Sequence, residues 1–325
     1  MVAPGPSFSE IIIPRSYMSI QLVFLGTGSG KPMPQRNVSS MALFRDGELF
    51  IFDCGESTQL QLTRSDLRPG AVKGIFLTHF HGDHVNGLPG LLGTFTLNRR
   101  EEPLVLAGPQ GLKRWLKCLH DLHILRPGFP LIVREVQQTG QIVYEGRGFH
   151  ITAGILNHRV DTWGYTLDEE DRPGRFDLDQ AQALGVPHGP LFGKLQRGES
   201  ITLDDGTQVH PDDVLGPPRP GLKIAYCTDT VPGPEAVALA RDADVLVHEA
   251  TYPGGEETRA HKRGHSTAAD AARCALEAGA HRLILTHISQ KYVRLDDFKT
   301  TARAIFPNTQ VARDLKTFEI PRRDQ

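Results

Sequence analysis

The chain has 325 residues, a formal net charge of −2, 39% hydrophobic and 23% charged residues, which is room for one large α/β domain or two smaller ones. This is the composition of an ordinary globular protein; it carries no basic footprint for nucleic acid, and no apolar run reaches the ~18–20 residues that span a bilayer. Cys54, Cys118, Cys227 and Cys274 are far apart and form no C-x-x-C pair, so they read as buried thiols of a reducing compartment, with the cytoplasm as the expected location.

Residues 1–17 hold Pro4, Pro6 and Pro14 around a short Ile11-Ile12-Ile13 run. They lack the basic start and long apolar core of a signal peptide. A disordered extension is expected there, ahead of one domain over 18–322. Ile20 to Leu25 reads as a strand that breaks at Gly26-Thr27-Gly28-Ser29-Gly30. No Lys-Ser/Thr pair follows, and Pro32 and Pro34 spoil a helix start. The phosphate-loop and dinucleotide readings therefore fail, leaving a turn between strands. Ser39–Phe44 and Glu48–Phe52 pattern as a hairpin turning at Asp46-Gly47. Asp53, at the tip of the second strand, either supports a site from behind or caps a helix from Ser57.

The stretch Gly74–Leu92 is the densest in chemistry. Ile75, Phe76 and Leu77 form a buried strand, and Val85, Leu88, Leu91 and Leu92 begin a helix. Between them stand His79, His81, Asp83 and His84, four potential ligands within six residues. Neutral imidazole and carboxylate suit zinc and its neighbours. In extended chain His79 and His81 point the same way, while Asp83 and His84 swing round with the bend. Two pairs facing different directions suit two ions.

Leu104–Ala107 reads as a strand and Pro109–His120 as a helix with proline in its first turn. His120 and His123 have nothing nearby to complete a site and read as surface or packing residues. Leu131–Val136, Ile142–Glu145 and Phe149–Leu156 are strand-like, and the last leads to the candidate ligand His158. From about 168 to 198 the periodicity dissolves, apart from a short helix over Asp177–Leu184, and the segment reads as an inserted arm with few core candidates. Its basic residues Arg172, Arg175, Lys194 and Arg197 fall near glycines and prolines, where backbone N–H groups are free to meet phosphate. The alternative there is a plain surface loop.

The second half alternates strands with helices. Leu222–Cys227 ends in Thr228-Asp229, Val245–Val247 in His248-Glu249, and Arg282–Leu285 in Thr286-His287. Helices are expected over Glu235–Arg241 and Ser266–Glu277, the second capped by Ser266. This pattern implies a layered α/β domain whose sites form at strand ends. The endings Leu-Thr-His, Cys-Thr-Asp and Leu-Thr-His recur at 77–79, 227–229 and 285–287. The recurrence joins Asp229 and His287 to the first four ligands.

Taken together, H-x-H-x-D-H at 79–84 and the later His158, Asp229 and His287 resemble the metallo-β-lactamase fold, an αββα sandwich. Within it the chain resembles the short-form ribonuclease Z family of tRNA 3′-processing endonucleases. The resemblance rests on THFHGDHVNGLPGLL, NHRVDTWGY, GVPHGPLFGKLQRGE, AYCTDT, HEATY, GHSTAADAA and LTHISQKY, in family order from residue 18 to about 320. One departure is Ser57, where the family commonly has glycine. The resemblance implies two zinc ions per chain, with manganese as the alternative. One is held by His79, His81 and His158, the other by Asp83, His84 and His287, with Asp229 bridging. It implies that Asp83 can hold the attacking water, and that His265, oriented by Glu249, protonates the leaving oxygen. It assigns His248 no more than a structural role. It further implies a precursor tRNA substrate, a homodimer, no membrane, and a protruding arm that clamps tRNA through Arg172, Arg175, Gly185, Pro187, Gly189, Pro190, Lys194 and Arg197. The loop Gly30–Asn37 would face the bases past the cut. The rivals are a same-fold phosphodiesterase for small or cyclic nucleotides, a thioester or lactam hydrolase, and a non-catalytic RNA-binding scaffold.

Overall fold

A computed structural model of the protein describes residues 19–322; the extension expected over 1–17 lies outside the described residues. The first half contains β1 (Ser19–Gly26), β2 (Gly28–Ser29), β3 (Ser40–Arg45), β4 (Glu48–Phe52), α1 (Thr58–Arg64), β5 (Val72–Phe76), α2 (Gly82–Val85), α3 (Leu88–Leu97), β6 (Leu104–Gly108), α4 (Leu112–Asp121) and β7 (Leu131–Glu135). Next come β8 (Gln141–Gly146), β9 (Phe149–Leu156), β10 (Thr162–Glu169), α5 (Leu178–Ala183), α6 (Pro190–Gln196), β11 (Ile201–Thr202) and β12 (Gln208–Val209). The chain ends with β13 (Lys223–Cys227), α7 (Pro234–Ala240), β14 (Val245–Glu249), α8 (Glu257–Lys262), α9 (Ala268–Glu277), β15 (Leu283–Thr286), β16 (Ile288–Ser289), α10 (Asp296–Arg303), β17 (Thr309–Val311) and β18 (Thr317–Pro321).

Two seven-stranded sheets form, in the orders β18-β1-β3-β4-β5-β6-β7 and β17-β15-β14-β13-β10-β9-β8. Each is antiparallel toward one edge and parallel toward the other: β4, β5, β6 and β7 run parallel in the first, and β13, β14, β15 and β17 in the second. The central strands, such as β4, β6, β14 and β15, are buried on both faces, as a sheet covered on both sides requires. Along β4, Phe50 and Phe52 enter the core between the sheets, while Leu49 and Ile51 face outward. Leu62, Leu88, Leu91, Leu92 and Leu112 of α1, α3 and α4 cover the outer face of the first sheet. Alanine-rich α7 and α9, with α10, cover the second. The result is an αββα sandwich. Among the described residues, no helix is long and apolar enough to cross a membrane.

Besides α6, α8, α10, β17 and β18, which the sequence reading did not mark, the structure departs from it in five places. β10 is a full strand, pairing with β9 from Thr162 to Glu169, a stretch to which the sequence reading assigned no element. Helix α4 starts at Leu112 rather than Pro109, because Gly111 has φ 100° and the Glu135 carboxylate accepts the N–H groups of Gly111 and Lys113. The cap of α9 is Thr267, not Ser266; Thr267 and Asp270 form a capping box, whereas the Ser266 hydroxyl donates to Thr230 O. Cys118 is exposed, unlike the other three cysteines.

The fifth departure concerns the insertion. Its stem extends beyond 198: Arg172 bridges to Arg219 and Phe176 to Leu215, and Glu169 N–H donates to Leu222 O. Nor is it short of core. Ala181, Val186, Leu195, Ile201, Val209 and Val214 are buried together, with Phe176, Leu191, Phe192 and Leu203 packed on them.

Candidate metal centre

The candidate ligands sit where strands of both sheets end. His79 follows β5, Asp229 follows β13 and His287 follows β15, each directly after a threonine. Asp53, Asp229 and His287 have φ of 58°, 44° and 55°, a left-handed conformation uncommon outside glycine. Such conformations persist when surrounding contacts over-determine them, and they concentrate at functional sites. A close backbone crossing fixes the histidine-rich turn. A Cβ at Gly55 would lie 2.3 Å from Asp83 O, and one at Gly87 2.1 Å from Gly55 O. Only glycines allow that approach.

Single atoms of His79, His81, His158 and Asp229 lie within 4.8 Å of one another, as do those of Asp83, His84 and His287. Asp229 stands between the two groups. Its Oδ2 is 3.6 Å from His79 Nε2 and 3.8 Å from His158 Nε2, and its Oδ1 is 3.2 Å from His84 Nε2 and 3.1 Å from His287 Nε2. Asp83 Oδ2 lies 3.5 Å from His287 Nε2 and accepts the Gly30 N–H at 2.6 Å.

The outward nitrogens determine the chemistry of the inward ones. His84 Nδ1–H donates to Asp53 Oδ2 at 2.8 Å, and His158 Nδ1–H to Gly264 O at 2.6 Å. Carboxylate and carbonyl oxygens only accept, so the proton is on Nδ1 in both rings. The Thr78 hydroxyl donates to Asp53 at 2.9 Å and so accepts from His79 Nδ1–H at 3.0 Å. The Thr251 hydroxyl donates to Glu249 Oε2 at 2.6 Å and so accepts from His287 Nδ1–H at 3.0 Å. Four rings are thereby held in the tautomer that turns a bare Nε2 lone pair toward Asp229. Fixing the far nitrogen is how proteins orient imidazole ligands.

The buried polar inventory agrees. His158 Nε2 and Asp229 Oδ1 are buried without a hydrogen-bond partner among the described residues; the short distances from Asp229 Oδ1 lack hydrogen-bond geometry. Burial, with His84 nearby, holds His79 well below the ordinary imidazole range, and burial lowers His158 despite Asp229. Burial would raise Asp83 and Asp229, but the surrounding histidines outweigh it and hold both carboxyls low. Neutral imidazoles and ionised carboxylates are the metal-binding forms. For His84, Asp229 and Asp53 outweigh burial and raise its affinity for a second proton, at the nitrogen a cation would take instead. The donor set therefore fits a pair of cations of the zinc type.

His265 stands beside this cluster. Its Nδ1–H donates to the buried Glu249 Oε1 at 3.0 Å and lies 3.9 Å from Asp229 Oδ2. Burial alone would lower His265, but the Glu249 charge and hydrogen bond push it up to about 9. Glu249 is in turn held by Thr230 N–H at 2.9 Å and by Thr251. Thr251 is the functional residue the sequence reading passed over. One hydroxyl touches Glu249 and His287, and its only signal was membership of the His-Glu-Ala-Thr run. Asp53 takes the first of the two roles considered for it, supporting Thr78 and His84 from behind.

The remaining candidates lie elsewhere. His248 is buried and bonded to Glu249 O, outside the cluster. His120 and His123 are exposed and pair with Asp121 and Arg126. In the insertion, Gly185, Pro187 and Gly189 form the turn between α5 and α6, and Pro190 is the first residue of α6. Lys194 is exposed, Arg197 pairs with Glu199 at 2.9 Å, Arg175 is exposed and Arg172 lies in the stem. At Ser57 the backbone has φ 68°, the conformation a glycine adopts without cost.

Residues 20–122 match the family model described as anti-Pycsar protein Apyc1, and residues 201–288 match the beta-lactamase superfamily domain. The chain is 44% identical over 311 residues to a ribonuclease Z of Synechocystis sp., covering 94% of this chain and 95% of the relative. It is 45% identical over 310 residues to a ribonuclease Z of Cyanothece sp., covering 93% and 96%. The crystal structure of human tRNase Z, short form, superposes with a TM-score of 0.68 at 29% identity, covering 93% of this chain and 99% of that one.

Proposed function

Since the chain belongs to the ribonuclease Z family of metal-dependent, phosphodiester-hydrolysing endoribonucleases, we propose that it removes the 3′ trailer from precursor tRNA, leaving a 3′-hydroxyl on the tRNA and a 5′-phosphate on the trailer. The observation that carries this reading is the set of four imidazoles locked with Nδ1–H outward and Nε2 facing Asp229. His79, His81 and His158 would hold one ion, Asp83, His84 and His287 the other, and Asp229 both. Zinc, or manganese, bound there supplies a water acidic enough to ionise near neutral pH and positive charge for the attacking and departing oxygens.

The protein's own groups do the rest. Asp83, oriented by the Gly30 N–H, holds the attacking water and takes its proton. Protonated His265 gives a proton to the leaving 3′-oxygen, and buried Glu249 keeps its ring turned for that transfer. The insertion holds the folded tRNA by shape and backbone contacts, with Arg172, Arg175, Lys194, Arg197 and the glycines and prolines of its turn as the contact set, reaching across a homodimer.

The test is to replace 173–218 by two glycines, joining the stem where Arg172 and Arg219 are already bonded. Pre-tRNA cleavage should be lost while hydrolysis of a small chromogenic phosphodiester persists. Equal loss of both would refute the assignment of the insertion. Full cleavage of pre-tRNA without it would refute that assignment too, and a wild type that hydrolysed the small phosphodiester but left pre-tRNA uncut would favour the small-nucleotide phosphodiesterase reading.

A further inference from the structure

The cleft that contains the histidine cluster, about 820 Å³ in volume, is also lined by four cations, Arg159, Arg259, Lys262 and Arg263. Three of them come from α8 and the residue after it. The whole chain has a net charge of −2, so this is a local concentration against the average. Arg259 is engaged, pairing with Glu256 at 2.9 Å and lying 5.5 Å from the centre of the Tyr252 ring. Lys262 and Arg263 are exposed. Among the described residues, neither side chain has an acidic partner.

The backbone that carries them is fixed to the site. Arg159 donates to Lys262 O at 2.6 Å, and the candidate ligand His158 donates to Gly264 O at 2.6 Å. Gly264 has φ 80°, and a Cβ there would stand 2.9 Å from His158 Nδ1. The next residue is His265. Lys262 and Arg263 therefore leave a rigid edge directly beside the reacting groups. Adjacent like charges without partners repel one another and gain most from an anion placed against them. One phosphodiester carries a single negative charge, which the centre itself would receive. The edge suits further phosphates of the same strand.

We propose that Lys262 and Arg263, with Arg159, form a subsite for the backbone phosphates of an RNA strand next to the linkage being cut. This deepens the nuclease reading above and rests on it. The contact is to backbone and not to bases, so it adds affinity and register without sequence preference.

The experiment measures binding of fluorescently labelled pre-tRNA to the metal-loaded protein between about 50 and 200 mM salt. It compares the wild type with Lys262→Ala/Arg263→Ala and with Lys262→Arg/Arg263→Lys, after metal analysis shows equal loading. Each phosphate contact contributes ~0.7–0.9 to the slope of log affinity against log salt. Loss of two contacts should flatten the slope by about 1.5, so that wild-type affinity falls about eightfold more than that of the alanine variant over this range. The charge-conserving variant should keep the wild-type slope. An alanine variant with the wild-type slope overturns the subsite, whether or not the RNA is cleaved. Failure of the wild type to cut the bound pre-tRNA would instead overturn the nuclease reading, even if the slopes differ.

Discussion

Asp53 does not line the cleft, yet by holding the His84 proton on Nδ1 it should set metal affinity. It is fully buried, and its Oδ1 accepts Thr78 N–H at 2.8 Å while its Oδ2 accepts the Tyr226 hydroxyl at 3.1 Å and His84 Nδ1–H at 2.8 Å. In Asp53→Asn the amide oxygen must take the Oδ1 place, because the Thr78 main-chain N–H cannot turn away. The NH2 group then faces His84. Two donors oppose each other, unless His84 moves its proton to Nε2 and loses the lone pair that faces Asp229. Supporting residues of this kind are worth about 10–100-fold in metal affinity, roughly 1.4–2.7 kcal/mol. Competition of the apo-protein against a calibrated chelator should show this loss for one of two ions. Tyr226→Phe, which leaves the His84 bond in place, should stay within about a factor of ten. Wild-type affinity in Asp53→Asn, with an unchanged Nδ1–H signal for His84 by NMR, would refute the reasoning.

Two further outcomes follow from the same geometry. His265→Gln should lower pre-tRNA cleavage by ~10²–10⁴-fold while retaining the metal content of the wild type, measured by elemental analysis and single-turnover kinetics. The root of the insertion should show in acid stability. Glu169 is buried, accepts from Arg45 at 2.7 Å and Arg322 at 3.0 Å, and these arginines outweigh burial and lower its pKa. A lowered carboxyl contributes stability that is present above its unfolded value of about 4.3 and is lost as pH falls toward the folded value. Urea midpoints should therefore show Glu169→Gln about 3 kcal/mol less stable at pH 7, with the difference shrinking below about pH 4.3. A pH-independent difference would contradict the ion-pair account.

The local chemistry was legible in the sequence because it is compressed. His79, His81, Asp83 and His84 fall within six residues, and a threonine precedes each of His79, Asp229 and His287. The alternation in β4 and the Asp46-Gly47 turn are equally local. What escaped was decided by neighbours distant in the chain. β10 opens with Thr162-Trp163-Gly164-Tyr165 and runs into acidic residues, so neither periodicity stands out; pairing with β9 and β13 makes it a strand. Ser266 and Thr267 are equivalent caps on paper, until Thr230 O claims the Ser266 hydroxyl. The small core of the insertion gathers Phe176, Val186, Leu195 and Val214 across a long stretch that no short window joins. Thr251 acquires its role only when β14 and β15 lie side by side and bring His287 against it.

The central claim is that seven side chains, from His79 to His287, enclose two cations that share Asp229. An anomalous difference map from crystals of the purified metal-loaded protein tests it most directly. Two peaks about 3.5–4 Å apart, flanking Asp229 and within bonding distance of the histidine Nε2 atoms, are the expected result. A single peak, or a pair placed away from Asp229, would contradict the account.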